Sequence, residues 1–233
     1  MSEHETGDPK KTQHLVSLDG AKERLHLFTA ELLDEGCFDS IVDGCQGVFH
    51  TASAVIFSAT HPQHWHMASK TLAEEAAWKF AKANGIDLVV LNPGFMFGPL
   101  LQPALNATSD VVIGFTKGTL FNGENTFPSS TYWLVDVRDV AYARIQAFEV
   151  PSAAGRYCLV QQVAPFQEIL KTLNQLYPTL GLQSKCEEDG KPVERIFKVS
   201  QEKARSLGVS FIPWELGLRE IIESLKEKGF LSI

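Results

Sequence analysis

Two side chains four positions apart, His66 and Lys70 in the run WHMASKTLAEEAAWKF at 65–80, are the first candidates for chemistry in this sequence. Residues spaced i, i+4 on a helix lie one turn apart on a single face, which makes imidazole and ammonium neighbours. An imidazole with an ordinary pKa of about 6.5 can give or take a proton near neutrality. The adjacent cation pushes that pKa down and makes the ring a poorer proton donor near neutrality. Lys70 is the better placed of the two, as a cation that tunes a neighbouring acid or holds a polar ligand.

A helix has to carry the pair. From about 65 to 83 the sequence puts Leu72, Ala76, Phe80 and Ala83 on one stripe, and Gly85 supplies the stop. The following IDLVVL at 86–91 is a near-continuous apolar run of the kind buried on both faces of a parallel sheet. Upstream, the pattern predicts a short helix at 10–18, a strand at 24–30, a helix at 34–43 and a strand at 47–51. Downstream it predicts helices at 109–117, 136–148, 165–176, 200–207 and 214–228, with strands at 132–135, 155–160 and 195–199. Asp136 is the candidate N-cap of its helix, and with Arg138 and Asp139 it reads as a cap and ion pair rather than as catalytic machinery. Alternation of strands with helices indicates an α/β layer fold.

Composition narrows the function classes. The 233 residues are 44% hydrophobic and 21% charged, ordinary for a globular protein with a sizeable core. A net charge of −7 argues against a nucleic-acid backbone or an anionic membrane as partner and leaves a small molecule or a protein. The four cysteines lack CxxC spacing and form no zinc pattern with histidine, so reduced thiols in the cytoplasm are expected. The first residues are polar without the apolar centre of a signal peptide, and no apolar run approaches the ~18 residues of a membrane span.

Several long blocks carry a resemblance: FTAELLDEGCFDSIVDGCQGVFHTAS, SKTLAEEAAWKFAKANGIDLVVLNPG, GPLLQPALN, DVRDVAYARIQAFEVPSAAGRYCLV and SLGVSFIPWELGLREIIESLKEKGF. Together they resemble the plant aromatic reductases of the extended short-chain dehydrogenase/reductase superfamily. The nearest group is the cinnamoyl-CoA reductase-like and phenylacetaldehyde reductase-like proteins, with dihydroflavonol reductases as relatives. The resemblance implies an NAD(P)-binding Rossmann-like doubly wound parallel sheet over 1–150 and a small substrate lobe mainly over 151–233. It implies NADP(H) as cofactor and an aromatic aldehyde, ketone or hydroxycinnamoyl-CoA as substrate. Lys70 matches the lysine that contacts the nicotinamide ribose, and His66 stands where the family has its catalytic tyrosine. Glu31, Leu32, Thr51, Ala52, Ser53, Pro93, Gly94 and Met96 match cofactor-lining positions. Phe95, Phe97, Gln102 and Tyr132 match the substrate pocket, with Phe115, Phe121, Phe127 and Trp133 nearby.

The same resemblance marks departures. The sequence holds no GxGxxG or GxxGxxG run of the kind that cradles a pyrophosphate, and no counterpart of the family's catalytic serine between HTASAVIFSATHPQ and HWHMASK. The sheet implied is therefore incomplete, without its first two strands and its fifth. In the order 3-2-1-4-5-6, the surviving strands at 24–30, 47–51 and 86–91 then lack neighbours and leave edges unpaired. An alternative reading follows, a truncated non-catalytic relative, either a splice or gene-model product or an interaction partner of an intact homologue.

Overall fold

The computed structural model describes residues 9–31, 33–51, 62–117, 126–127, 131–180, 187–188 and 197–233, with backbone alone at 10, 62–67, 126–127 and 187–188. Helices α1 (Pro9–Val16), α2 (Ala21–Arg24) and α3 (Asp39–Val42) precede the long α4 (Pro62–Asn84). Strands β1 (Val89–Pro93) and β2 (Phe95–Phe97) follow, then α5 (Ala107–Lys117), the short β3 (Thr126–Phe127), β4 (Thr131–Asp136) and α6 (Val137–Glu149). Next come β5 (Gly155–Leu159), β6 (Gln162–Pro165), α7 (Phe166–Leu176) and a 3-10 turn at Pro178–Leu180. The short β7 (Glu187–Glu188), α8 (Glu202–Ser206) and α9 (Trp214–Glu227) complete the order.

The strands form separate ladders. β1 and β5 pair in parallel, with Val89 opposite Gly155 and Pro93 opposite Leu159. β4 lies between β2, which is parallel to it, and β6, which is antiparallel. β3 and β7 make a short parallel pair.

β4 divides the interior. Successive strand residues point to opposite faces, so Leu134 enters one core and Val135 the other. The larger core gathers Phe97, Val112, Phe115 and Leu134 with Phe166, Ile169, Leu173, Leu218, Ile222 and Leu225. In α9, Trp214, Gly217, Leu218, Ile221, Ile222 and Leu225 are buried at helical spacing, and each large side chain contributes about 1.5–3 kcal/mol on burial. The second core joins Val135, Val140 and Ala143 to Tyr157, Leu159, Ala204, Leu207 and Val209. Both cores draw residues from either side of position 150.

Two groups of sequence expectations are corrected. First, the run at 24–30 is not a strand: Arg24 closes α2, and 25–30 is irregular with Phe28 57% exposed. The run at 47–51 is likewise irregular, with Val48 and Phe49 exposed and Phe49 leaning on Phe148 of α6 at 5.7 Å between centroids. A strand exists only where a neighbour supplies the second half of each hydrogen bond, and neither run has one among the described residues.

Second, the helix at 34–43 contracts to the single turn of α3, and residues 197–199 of the strand expected at 195–199 are irregular, 195–196 lying outside the described residues. The apolar stripe read on α4 is present and faces outward. Leu72 is 64% and Phe80 63% exposed, while Trp78 and Glu74 are half-buried and Ala81 is buried. Periodicity identifies an apolar stripe, but a stripe faces inward only if a partner surface covers it.

Among the described residues no helix is long and apolar enough to cross a membrane, and no cluster of three or more His, Cys, Asp or Glu side chains is arranged to hold a metal ion. Cys37, Cys45 and Cys158 are free thiols, and Cys186 lies outside the described residues.

Candidate functional site

Lys70 lies on the stripe of α4 that meets the body of the protein, since positions 70, 74, 78 and 81 recur at helical spacing. Glu74 anchors that stripe. Its carboxylate takes Arg156 of β5 in a two-point contact, Nε to Oε1 at 2.7 Å and Nη2 to Oε2 at 3.1 Å. The Trp78 indole Nε1 donates to the same Oε1 at 2.9 Å. Arg156 stands opposite Val90 in the β1–β5 register, so the clamp sets Glu74 level with the first half of β1. A short connection through Gly85 joins α4 to β1. Lys70 lies one turn back from Glu74, a rise of about 5.4 Å along α4. Open α/β sheets bind their ligands at the carboxyl ends of their strands.

The turn between β1 and β2 is at the same end. Gly94 N still donates to Leu159 O of β5 at 3.0 Å, and one residue later Phe95 is in register with Leu134 of β4. The chain thus crosses from one ladder to the other at Gly94, where a Cβ would collide with the Trp133 carbonyl oxygen. Only glycine fits this crossing without displacing β4.

Behind the turn the rings of Phe95, Phe97 and Tyr132 meet edge to face, at 5.5 Å for Phe95–Phe97 and for Phe95–Tyr132. Phe115 and Phe166 extend the group, 4.9 Å apart, with Phe115 also 5.7 Å from Tyr132. Phe97 is 1% exposed and belongs to the larger core, while Phe95 and Tyr132 are half-buried at its margin. Met96 faces the second core. Gln102 donates from Nε2 to Ala104 O at 2.9 Å and so closes its own loop.

The structure therefore brings Phe95, Phe97 and Tyr132 together and places Pro93 and Gly94 beside them. Lys70 is exposed on α4, and Glu31 and Thr51 are exposed on irregular segments. Leu32, Ala52, Ser53 and Phe121 lie outside the described residues, as do the side chains of His66 and Phe127.

The loop after β2 is tied to α9. Leu100 N donates to Ser224 Oγ at 3.0 Å. Asp136 is fully buried, caps α6 by accepting from Arg138 N at 2.9 Å, and accepts from Arg138 Nε and Nη2 at 2.8 Å each. Arg138 also reaches Glu220 of α9. Hydrogen bonding to Asp136 raises the Arg138 pKa further, so the guanidinium is permanently charged. Asp139 accepts from Ile212 N at 2.9 Å; burial pushes its carboxyl above the usual range, against the pull of that hydrogen bond. The cap and ion pair expected at 136–139 are present. Glu74, Trp78 and Arg156 were not singled out, although the four-residue step from Lys70 to Glu74 and Trp78 is visible in the sequence.

No family model matches the chain. Cinnamoyl-CoA reductase CAD2 of Medicago truncatula is 41% identical over 290 aligned positions, which cover 97% of this chain and 87% of that protein. The chain belongs to the cinnamoyl-CoA reductase family. The alignment is longer than the 233 residues of the chain, so this relative carries internal residues that stand opposite gaps here. Tetraketide alpha-pyrone reductase 1 of Arabidopsis thaliana is 32% identical, covering 97% of the chain and 87% of its own length.

Among solved structures, vestitone reductase from alfalfa superposes with a TM-score of 0.76 over 94% of this chain and 88% of that one; at 24% identity it speaks for the fold alone. Gre2 of Candida albicans in complex with NADPH gives a TM-score of 0.61 at 28% identity, over 73% of this chain and 54% of that one. The fold of this family member is thus an incomplete NAD(P)-binding Rossmann-like α/β fold.

The residues present fit one end of a nicotinamide dinucleotide. An exposed ammonium such as that of Lys70 has the chemistry to meet ribose hydroxyls. The pyrophosphate side does not fit: no glycine-rich run occurs in the sequence, and Gly44, Gly85 and Gly229, around which a Cβ would meet nothing, each stand alone after a helix.

Proposed function

We propose that the protein serves in the NADP(H)-dependent reduction of an aromatic aldehyde, ketone or hydroxycinnamoyl-CoA thioester, in the cytoplasm. The observation that supports this reading is the crossing at Pro93–Gly94, with the Phe95 and Tyr132 rings packed behind it, in a chain whose exposed Lys70 stands one turn from the Glu74 that β5 holds. An exposed ammonium there suits ribose hydroxyls or a phosphate, and the rings offer an apolar wall to an aromatic group. Pro93, Gly94 and Met96 belong to the cofactor side of this site, and Phe95, Phe97, Gln102 and Tyr132 to the substrate side. Glu31, Leu32, Thr51, Ala52 and Ser53 belong to the adenine side, and His66 takes the place of the proton donor. The test is oxidation of NADPH followed by absorbance with cinnamaldehyde, phenylacetaldehyde and a hydroxycinnamoyl-CoA. Turnover of any one supports the reading; none of the three being reduced at high protein concentration contradicts it.

A second reading has its own observation. The exposed Leu72 and Phe80 of α4, and a β1 that pairs on one side only among the described residues, favour a non-catalytic relative associated with an intact homologue. Co-purification with an intact reductase, together with absent turnover, distinguishes it.

A further inference from the structure

On an isolated helix, Lys70 and Glu74 would be expected to pair. An ammonium and a carboxylate four residues apart on one face attract each other, weakly but by default. The structure shows a different arrangement. Both Glu74 oxygens are taken, Oε1 by Arg156 Nε at 2.7 Å and Trp78 Nε1 at 2.9 Å, Oε2 by Arg156 Nη2 at 3.1 Å. A planar guanidinium saturates a carboxylate in a way that a single ammonium does not. Glu74 is half-buried where it meets β5, whereas Lys70, one turn further along, remains exposed.

We propose that Arg156 is a positioning residue: by occupying Glu74 from β5 it withholds that carboxylate from Lys70 and leaves the Lys70 ammonium available to a ligand bearing hydroxyl or phosphate oxygens. This rests on the reading of Lys70 as the cation of the site. It adds that the site depends on a residue 82 positions away in the chain from Glu74. The same contact fixes the rotation of α4, whose apolar stripe does not hold it to the body. Among the described side chains, the ionic groups at issue beside Lys70 are Glu74 on its own helix and Arg156, which holds Glu74 from β5; the side chain of His66, four positions before Lys70, lies outside them.

The test is competitive acylation of the purified full chain with limiting acetic anhydride, with each lysine quantified by mass spectrometry. Lys79 and Lys82 of α4 serve as internal references. Arg156→Gln frees Glu74 to pair with Lys70, so Lys70 acylation relative to the two references falls about twofold, the effect of one intrahelical ion pair. Adding Glu74→Gln to Arg156→Gln restores the Lys70 rate, a recovery that simple loosening of α4 would not produce. Arg156→Lys, which keeps the charge without the two-point contact, gives a partial fall. An unchanged Lys70 rate in Arg156→Gln, or a double variant that fails to recover, overturns the proposal. The readout needs no cofactor, so failure of the reductase reading shows separately, as absent NADPH oxidation with an intact acylation pattern.

Discussion

Phe97 and Asp136 stand opposite one another in the parallel register of β2 and β4, and both are buried, Phe97 in the larger core and Asp136 against Arg138. The pair marks the joint of the molecule. Gly98 and Gly217 leave the space the carboxylate occupies: a Cβ at Gly217 would sit 2.8 Å from Asp136 Oδ2 and 3.3 Å from Phe97 Cβ.

Asp136→Ala removes a helix cap and leaves Arg138 to find water. The cap is worth about 1 kcal/mol and the pair to Arg138, 43% exposed, adds less than a buried pair would, so about 1–2 kcal/mol of stability should go. Gly217→Ala should also destabilise, through overpacking of about 1–3 kcal/mol. Urea denaturation of the two variants checks both, and a loss below about 0.5 kcal/mol for Asp136→Ala would show that the joint is not built as described.

Asp139 sets a pH dependence of definite sign. Its folded carboxyl has a raised pKa, chiefly from burial and also from the charge of Asp136, with the Ile212 N–H bond opposing. The native state therefore holds that proton above the ordinary carboxylate range, where the unfolded chain has lost it. The contribution of this group to stability accordingly falls as pH rises from the ordinary value through the raised one. Asp139→Asn keeps an oxygen for Ile212 N and removes that slope. Melting temperatures from pH 3.5 to pH 7 should show the variant gaining relative to the parent as pH rises.

Glu223 works in the opposite direction. The Tyr177 hydroxyl donates to its Oε1 at 2.6 Å, holding the carboxyl below its usual value. Stability from this contact is present above the ordinary carboxylate range and is lost as pH falls through the lowered value. Tyr177→Phe should cost about 1 kcal/mol at pH 7 and less once the pH is low enough to protonate Glu223, because a neutral carboxyl accepts the phenol hydrogen bond more weakly than a carboxylate. Equal losses in the two pH ranges would count against the charged hydrogen bond.

The outward stripe of α4 makes a prediction of the reverse kind. Leu72→Glu and Phe80→Glu should leave stability within about 0.5 kcal/mol of the parent, as surface changes do. They should also reduce self-association measured by light scattering, because an exposed apolar stripe is removed. A large fall in melting temperature would place the stripe inside.

Legibility in the sequence followed the range of the forces involved. α6, α7 and α9 were readable because an Asp or Pro opening and a repeat of apolar residues at helical spacing are local signals. The cap at Asp136 was readable for the same reason. The strands at 24–30 and 47–51 were not, because a run of suitable residues becomes a strand only when another strand accepts its hydrogen bonds. The stripe Leu72, Ala76, Phe80 and Ala83 was found correctly as a stripe, yet periodicity is blind to which side has a partner. The Glu74–Arg156 clamp joins residues far apart in the chain, so only the folded register of β1 and β5 reveals it.

The measurement that tests the central claim most directly is a fluorescence titration of the purified chain and its Lys70→Ala variant with NADPH. If Lys70 is the cation that receives the cofactor, the parent gives a saturable change and the variant binds at least about tenfold more weakly, a difference of about 1.4 kcal/mol. A titration without saturation, or one that is the same in parent and variant, would contradict it.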